Sequence, residues 1–235
     1  MKEYTVSAAE MKEIERQADE RGLPYRQMME NAGTAAFEEM RKRWPLARRL
    51  LIFAGKGNNG GDGFVVARLF ASRVKRENSA DSDGVSPEIT VVLCEGEPVT
   101  EDARYNFRLL EGEEMECVSA ADLSGYAEAA ERGETEVPDL IVDALYGTGF
   151  HGSLRSNGER AAALMNSYDA PVCALDLPSG MNADSGEAAE GAVEADVTVA
   201  FHRKKHGHAV PGAERWCGEI VVADIGIPES EERRL

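Results

Sequence analysis

Three segments of the sequence gather residue types that could do chemistry. The first, Gly55-Lys56-Gly57-Asn58-Asn59-Gly60-Gly61-Asp62-Gly63, follows the apolar run Leu50–Ala54. Its glycines at 55, 57 and 60 match the Gly-x-Gly-x-x-Gly spacing of a dinucleotide fingerprint. Between a strand and a helix, such a loop lets the backbone approach a diphosphate, with free N–H groups and the positive helix end facing the anion. Two features depart from the fingerprint. Asn58, Asn59 and Asp62 put polar groups where it wants small or apolar ones, and an acid at a helix start would repel phosphate while still able to hold a sugar hydroxyl. The ribose-binding carboxylate expected about 20 residues on is not evident, because the polar stretch 77–88 intervenes and Glu95 lies too far along.

The second segment runs Asp143-Ala144-Leu145-Tyr146-Gly147-Thr148-Gly149-Phe150-His151-Gly152-Ser153, and the third is Asp176-Leu177-Pro178-Ser179-Gly180. Each sets a carboxylate at the end of an apolar run. One such Asp is as well explained by a helix cap or a turn. Two of them, each followed by a Gly/Ser loop at the same sheet edge, point to a site. Asn59, Asp143 and Ser179 offer oxygen ligands only, which suits a hard cation and excludes a thiolate zinc site; ligand type alone leaves Mg²⁺, Na⁺ and K⁺ open. Leu177-Pro178-Ser179-Gly180 lacks the Gly-x-Ser-x-Gly elbow of a serine hydrolase. His151, His202, His206 and His208 have poor metal spacing. The last three sit beside Arg203, Lys204 and Lys205, so a basic surface loop explains them as well as catalysis does.

The elements that must hold these segments follow from periodicity. Ser7-Ala8-Ala9-Glu10 is a capping box, followed by Met11, Ile14 and Ala18 at helical spacing and by Gly22 as a stop. A second helix is expected over Tyr25–Arg43, and the two should form a helical extension, residues 1–45, capping the core. From there short β-branched runs alternate with helical stretches. Strands are expected at Leu50–Ala54, Ile89–Cys94, Met115–Val118, Leu140–Ala144, Val172–Asp176, Val197–Phe201 and Ile220–Ala223, with helices at 62–75, 100–111, 120–132 and 158–168. Near-continuous apolar strands are covered on both faces. The fold class is therefore α/β, a mainly parallel, doubly wound sheet with the core at 49–228, and the whole chain 1–235 is expected to be one domain.

Composition narrows the partners. The chain has 26 Lys+Arg against 43 Asp+Glu, a formal net charge of −17. Residues 101–200 hold 21 of the acids and only 5 of the bases, so the excess sits in the middle of the chain. This balance argues against nucleic acid and anionic membranes, but not against a small anion in a glycine-lined pocket, because screening limits the reach of distant charges to about 8–10 Å. No run of 18 apolar residues exists and the N-terminus lacks an apolar signal core, so a cytoplasmic location is expected. Cys94, Cys117, Cys173 and Cys217 are scattered singly and read as reduced thiols.

In combination, the three loops resemble the NAD(P)H-hydrate epimerase family, the YjeF N-terminal domain. Further matches are Met29-Glu30-Asn31-Ala32-Gly33, Asp102, Ala103 and Asn106, the stretch Asp196–Phe201 with Lys205 and Gly207, and Gly218–Pro228. The resemblance runs from about residue 5 to 228. It implies a Rossmann-like three-layer α/β/α sandwich, commonly dimeric. It implies an enzyme that interconverts the R and S forms of NADH and NADPH hydrated at C6 of the nicotinamide ring, so that an S-specific, ATP- or ADP-dependent dehydratase can restore the cofactor. Many bacterial members carry that dehydratase on the same chain. This sequence ends at Leu235, so a separately encoded dehydratase is expected as functional partner. The substrate site implied by the resemblance comprises Asn58, Asn59, Gly60, Gly61, Asp62, Gly147, Thr148, Gly149, Phe150, His151, Gly152, Ser153 and Asp176. A potassium ion is implied at Asn59, Asp143 and Ser179. Lys205 matches the family's late lysine, although His202-Arg203-Lys204 stands where the family often has Gly and Pro.

The C6 carbon of the hydrate bears both a hydroxyl and the ring nitrogen. Inversion through loss and return of water needs an acid for the hydroxyl and a base for the water. Asp176 is the first candidate, since a carboxylate can do both and stabilise an iminium cation; Asp62 is second. The rivals are an NAD(P)-dependent oxidoreductase, for which neither a ribose carboxylate nor a hydride-acceptor site is found, and a non-catalytic scaffold, which would tolerate loss of Asn59, Asp143 or Asp176.

Overall fold

The structure, a computed structural model, describes residues 4–80 and 87–228. The chain runs α1 (Ala8–Glu20), α2 (Tyr25–Arg43), β1 (Arg49–Ala54), α3 (Asn58–Ala80), β2 (Glu88–Leu93), α4 (Glu101–Arg108), β3 (Glu116–Val118), α5 (Leu123–Glu131), β4 (Leu140–Ala144), α6 (Ser156–Ser167), β5 (Val172–Leu175), β6 (Val197–Phe201), a 3₁₀ turn (His206–Ala209), α7 (Glu214–Cys217) and β7 (Glu219–Ala223). Seven strands form one sheet in the order β3-β2-β1-β4-β5-β6-β7, and every pairing is parallel.

Strand β1 shows why both sheet faces are covered. Leu50, Ile52 and Ala54 belong to a core shared with Met28, Phe37, Phe64 and Phe70 from α2 and α3. Leu51 and Phe53, pointing the other way, join Leu123, Ala161 and Met165 from α5 and α6. Side chains alternate across a strand, so an unbroken apolar run needs an apolar layer on each side. The result is the expected Rossmann-like α/β/α sandwich.

The N-terminal helices are more than a cap: they join α3 in one layer. Gly33 of α2 lies so close to Val65 and to the Asp62 carbonyl that any side chain there would collide with both. The capping box of α1 forms as expected: the Glu10 N–H donates to Ser7 Oγ (3.1 Å) and the Ser7 N–H to Glu10 Oε2 (2.7 Å). Helix α3 starts at Asn58, four residues before the expected position, and runs through Ala80, so the polar stretch 77–88 is not a continuous loop. Residues 81–86 of that stretch lie outside the described residues. The other expected elements are present, with Tyr25–Arg43, Leu140–Ala144 and Val197–Phe201 unmoved and the ends of the rest moved by at most three residues. Asp176 is no longer part of its strand, and α7 and the 3₁₀ turn had no counterpart in the pattern. No helix among the described residues is long and apolar enough to cross a membrane.

Candidate active site

In the sheet order, the chain leaves β1 toward β2 on one side and returns to β4 on the other. Ligands of open α/β sheets bind outside the carboxyl ends of the strands at such a switch point. All three polar segments emerge there: Gly55–Gly63 after β1, Asp143–Ser153 at β4, and Asp176–Gly180 after β5. A cavity of about 550 Å³ involving Arg49, Glu88, Glu116, Tyr126 and Glu136 lies at the opposite, amino-terminal end of β1–β3 and meets none of them.

The glycine-rich segment is the first turn of α3 rather than a loop. Asn58 is exposed, Asn59 half-buried, and Gly60, Gly61 and Asp62 are buried. Most of its glycines serve packing: a Cβ on Gly60 would fall on the Gly55 carbonyl, and one on Gly61 would meet the Met29 side chain. Gly57, by contrast, has open space around it. Backbone approach by a ligand is therefore available at Gly57 and the first α3 turn, while the neighbouring glycines let β1, α3 and α2 pack closely.

A first carboxyl centre forms where β4 meets the Asp176–Gly180 turn. Asp143 is fully buried. Its Oδ2 accepts the Ser179 N–H (2.6 Å), and its Oδ1 accepts Ser179 Oγ (2.6 Å) and the Leu145 N–H (3.2 Å). Ser179 Oγ in turn accepts the Tyr146 N–H (2.9 Å). Burial pushes the Asp143 carboxyl up to about 6, against those three hydrogen bonds. No cationic side chain pairs with it among the described residues. Asn59 packs onto Gly147 beside this centre, and its Nδ2 is buried without a hydrogen-bond partner. A buried carboxyl without a cationic partner among the described residues, a serine oxygen and the adjacent Asn59 amide, whose oxygen could ligate, form an oxygen-donor set that fits a hard cation.

Beyond Gly147 the loop runs outward. Phe150 stacks on Tyr146 at 5.3 Å between ring centroids, and Asn182 Nδ2 reaches His151 Nδ1 (3.0 Å). Gly147 and Thr148 are half-buried, whereas Gly149, His151, Gly152 and Ser153 are exposed. The Tyr146 hydroxyl donates to Glu95 Oε1 (2.9 Å), and Glu95 lies 4.0 Å from Lys56. The carboxylate that seemed too far along thus sits at the end of β2 near the first loop, but it is engaged by Tyr146 and Lys56.

A second carboxyl centre lies one strand further, where β5 and β6 end in matching turns. Leu177 N–H bonds back to Leu175 O (2.8 Å) around Asp176, and Arg203 N–H to Phe201 O (2.7 Å) around His202. Asp176 has φ +66° and His202 φ +62°. These are γ-turns with positive φ at non-glycine residues, each costing on the order of 1–3 kcal/mol. The strain aims Asp176 at Lys205, with which it forms an ion pair. Its Oδ1 also accepts the Phe201 N–H (3.2 Å), while Oδ2 has no protein partner among the described residues. Lys205 is 1% exposed and donates a second bond to Phe201 O (3.0 Å). Asp62 is 8% exposed, accepts no side-chain hydrogen bond among the described residues, and lies within the field of Asp176 and Lys205. Burial, then Asp176, then Glu15 raise its pKa well above the usual carboxylate range.

These contacts overturn the reading of residues 202–208 as a basic surface loop. His202, Lys205 and His208 are buried. His208 accepts the Lys205 N–H at Nδ1 (3.0 Å), and burial, helped by the Lys205 charge, lowers its pKa to about 4, so it is neutral at pH 7. The local sequence concealed this because Arg203 and Lys204 flank Lys205 with the same charge; the signal was the long gap to its acidic partner.

Comparison with known proteins follows the same lines. The chain is 38% identical to the bifunctional NAD(P)H-hydrate repair enzyme Nnr of Pyrobaculum aerophilum over 97% of its own length, and spans 43% of that relative. It is 36% identical to the NAD(P)H-hydrate epimerase of Cenarchaeum symbiosum, over 97% of this chain and 98% of that one. The crystal structure of the yeast protein ynu0, YNL200c, superposes with a TM-score of 0.70, covering 93% of this chain and 87% of that one at 22% identity, a likeness of fold. The family model described as YjeF-related protein N-terminus matches residues 25–207, most of the chain and all three site segments, and the chain belongs to that family.

Proposed function

We propose that this chain is an NAD(P)H-hydrate epimerase, interconverting the R and S forms of C6-hydrated NADH and NADPH in nicotinamide cofactor repair. The observation that carries the reading is the strained Asp176–Lys205 pair near the buried Asp62 at the carboxyl edge of the sheet. A cationic iminium formed when water leaves C6 needs a negative group held in place, and two γ-turns and a buried lysine hold Asp176. Asp176 Oδ2 accepts no hydrogen bond from the described residues and is available to face that cation or to take a proton from returning water. A scaffold would have no use for strain and buried charge that both cost stability.

The first turn of α3, with Asn58, Asn59, Gly60, Gly61 and Asp62, offers N–H groups and open space at Gly57 to the diphosphate. Gly147 to Ser153 form the opposite wall, where Phe150 and His151 offer a ring and a polar edge. Asn59, Asp143 and Ser179 would hold potassium. That ion would balance the buried carboxyl and brace the loops, because its charge density is too low for a strong Lewis acid. The same reading includes a homodimer and a dehydratase partner that consumes the S form.

The test is chromatographic. Pure R-form NADHX incubated with the protein should yield the S form, and absence of S-form accumulation overturns the reading. Asp176→Asn should bind the hydrate with little change and lose at least about 10²-fold in turnover. Unchanged turnover in that variant would remove Asp176 from the chemistry.

A further inference from the structure

Strand β2 ends at Leu93, and the turn after it is fastened to the glycine-rich segment. The Cys94 N–H donates to Ala54 O (3.0 Å), the Gly96 N–H to Leu93 O (3.3 Å) and the Val99 N–H to Lys56 O (2.8 Å). Gly96 supplies the positive φ of this turn, +92°. Glu95 therefore stands next to Lys56, which precedes the open space at Gly57, on the β2 side of the switch point. Asp176 lies on the opposite side, beyond β4.

Tyr146 holds this carboxylate in place. Its N–H donates to Ser179 Oγ (2.9 Å) and its hydroxyl to Glu95 Oε1 (2.9 Å), so it spans from the β5 turn to the β2 turn. Helix α6 leaves a notch for it: a Cβ on Gly158 would fall 2.4 Å from the Tyr146 hydroxyl. Burial and then Glu95 raise the phenol above its usual range, so it remains a donor at any working pH. Glu95 Oε2 accepts no hydrogen bond from the described residues. Lys56 Nζ lies 4.0 Å from it, close enough for an ion pair and too far for a hydrogen bond. The Lys56 and Glu95 side chains are 50% and 28% exposed, so both can meet a ligand. An exposed pair of this kind is weak, and either partner can be drawn away.

We propose that Glu95 is the specificity-determining residue for the adenosine half of the substrate: its open oxygen takes the ribose hydroxyls, its charge repels a 2′-phosphate, and the chain prefers hydrated NADH to hydrated NADPH. The proposal rests on the epimerase reading, which sets the diphosphate at the first turn of α3 and the hydrated ring at Asp176. With the nicotinamide half running toward β5, the adenosine half runs the other way, over the end of β2. There it meets a carboxylate with one oxygen occupied and one open. A ribose hydroxyl donates to the open oxygen. A 2′-phosphate sets like charges together, and the Tyr146 bond keeps the carboxylate from swinging aside. The end of the second strand is where a dinucleotide fold places its ribose carboxylate. Sequence spacing hid this one because α3 runs for 23 residues before β2 begins. Lys56 is the counterpart. Glu95 balances its charge, and a neutral residue at 95 leaves that charge to attract a phosphate.

The experiment compares kcat/KM for the R forms of NADHX and NADPHX in the full chain, as wild type, as Glu95→Gln and as Glu95→Gln with Lys56→Gln. Calorimetric Kd values for ADP-ribose and ADP-ribose 2′-phosphate give a readout that needs no turnover, and thermal melting checks that each variant is folded. The wild type should favour NADHX, and ADP-ribose over its 2′-phosphate, by at least about tenfold. Glu95→Gln should bring both ratios close to one, through a lower KM for NADPHX at little-changed kcat. Adding Lys56→Gln should remove the gain for the phosphorylated ligands; a gain that survives overturns the part given to Lys56. Tyr146→Phe, which frees Oε1 but keeps the charge, should narrow the ratios without reversing them. Equal use of the two hydrates by the wild type, a preference for NADPHX, or ratios that Glu95→Gln leaves in place overturn the proposal. Failure of the wild type to epimerise either hydrate overturns the functional reading, whereas an active wild type that does not discriminate overturns this proposal alone.

Discussion

The two carboxyl centres lie on neighbouring strand ends, yet they are built in opposite ways. Asp143 is saturated: three protein hydrogen bonds fix both of its oxygens, and no charged side chain among the described residues answers it. The Asp62–Asp176 centre is electrostatic: a buried lysine pairs with Asp176, and Asp62 lies in the field of both. A carboxyl held by donors on both oxygens cannot easily exchange protons or rotate toward a substrate. One held through a single oxygen by an ion pair keeps the other oxygen available. The first arrangement suits holding a cation and a loop, and the second suits moving a proton.

That contrast can be broken most severely at Lys205. Lys205→Met strips the buried Asp176 of its partner and should destabilise the fold by about 3–5 kcal/mol in urea denaturation, besides abolishing epimerisation. A loss below about 1 kcal/mol would mean that water reaches Asp176 and that the centre is not sealed. Ser179→Ala should cost about 1–3 kcal/mol, since it leaves Asp143 Oδ1 and the Tyr146 N–H each short of a partner. The same variant sharpens the comparison when ions are exchanged. Potassium in place of tetramethylammonium should raise the Tm of the wild type and leave that of Ser179→Ala or Asp143→Asn unmoved, and an equal rise in all three would show that the ion binds elsewhere.

The pH dependence of stability has a part from each side of the site, since burial also raises Asp143 from 3.8 to about 6, a contribution lost as pH rises over that lower window. The carboxyl of Glu15 is raised from 4.5 to about 7 on folding. Between those values the unfolded chain binds fewer protons than the native one, so this contribution is full below pH 4.5 and is lost as pH rises to 7. Glu15→Gln should therefore flatten the fall of unfolding free energy over that window, read from urea curves at several pH values; an unchanged slope would place the titration on another group. The smallest effect is expected from Ser7→Ala. It removes the cap of α1 and should cost about 1 kcal/mol. Because the Val6–Lys205 bridge remains, the epimerisation rate should stay near wild type.

Much of the fold was legible locally. Runs such as Leu140–Ala144 and Val197–Phe201, apolar throughout, require layers on both faces, and a parallel sheet follows from helices between them. The start of α3 was misplaced by four residues because Asn58, Gly60 and Gly61 are poor helix formers. Tertiary packing overrides that preference: Gly60 and Gly61 are needed where β1 and α2 press on the helix. Asp143, Asp176, Ser179 and Asn59 were also legible, since polar residues at the ends of apolar strands stand out. The burial of Lys205 was not, because it sits in a basic run that reads locally as surface.

The sequence by itself determined the layered α/β architecture, the three site segments and the family, because periodicity and short motifs are local and survive without coordinates. Tertiary structure decided which carboxyl is saturated and which is left reactive. That distinction depends on partners far apart in the chain, 36 residues between Asp143 and Ser179 and 29 between Asp176 and Lys205, with Val6 drawn onto Lys205 from the other end of the chain. Charge and hydrogen-bond energies depend on distance and burial, and neither exists until β4, β5, β6 and α1 are packed together.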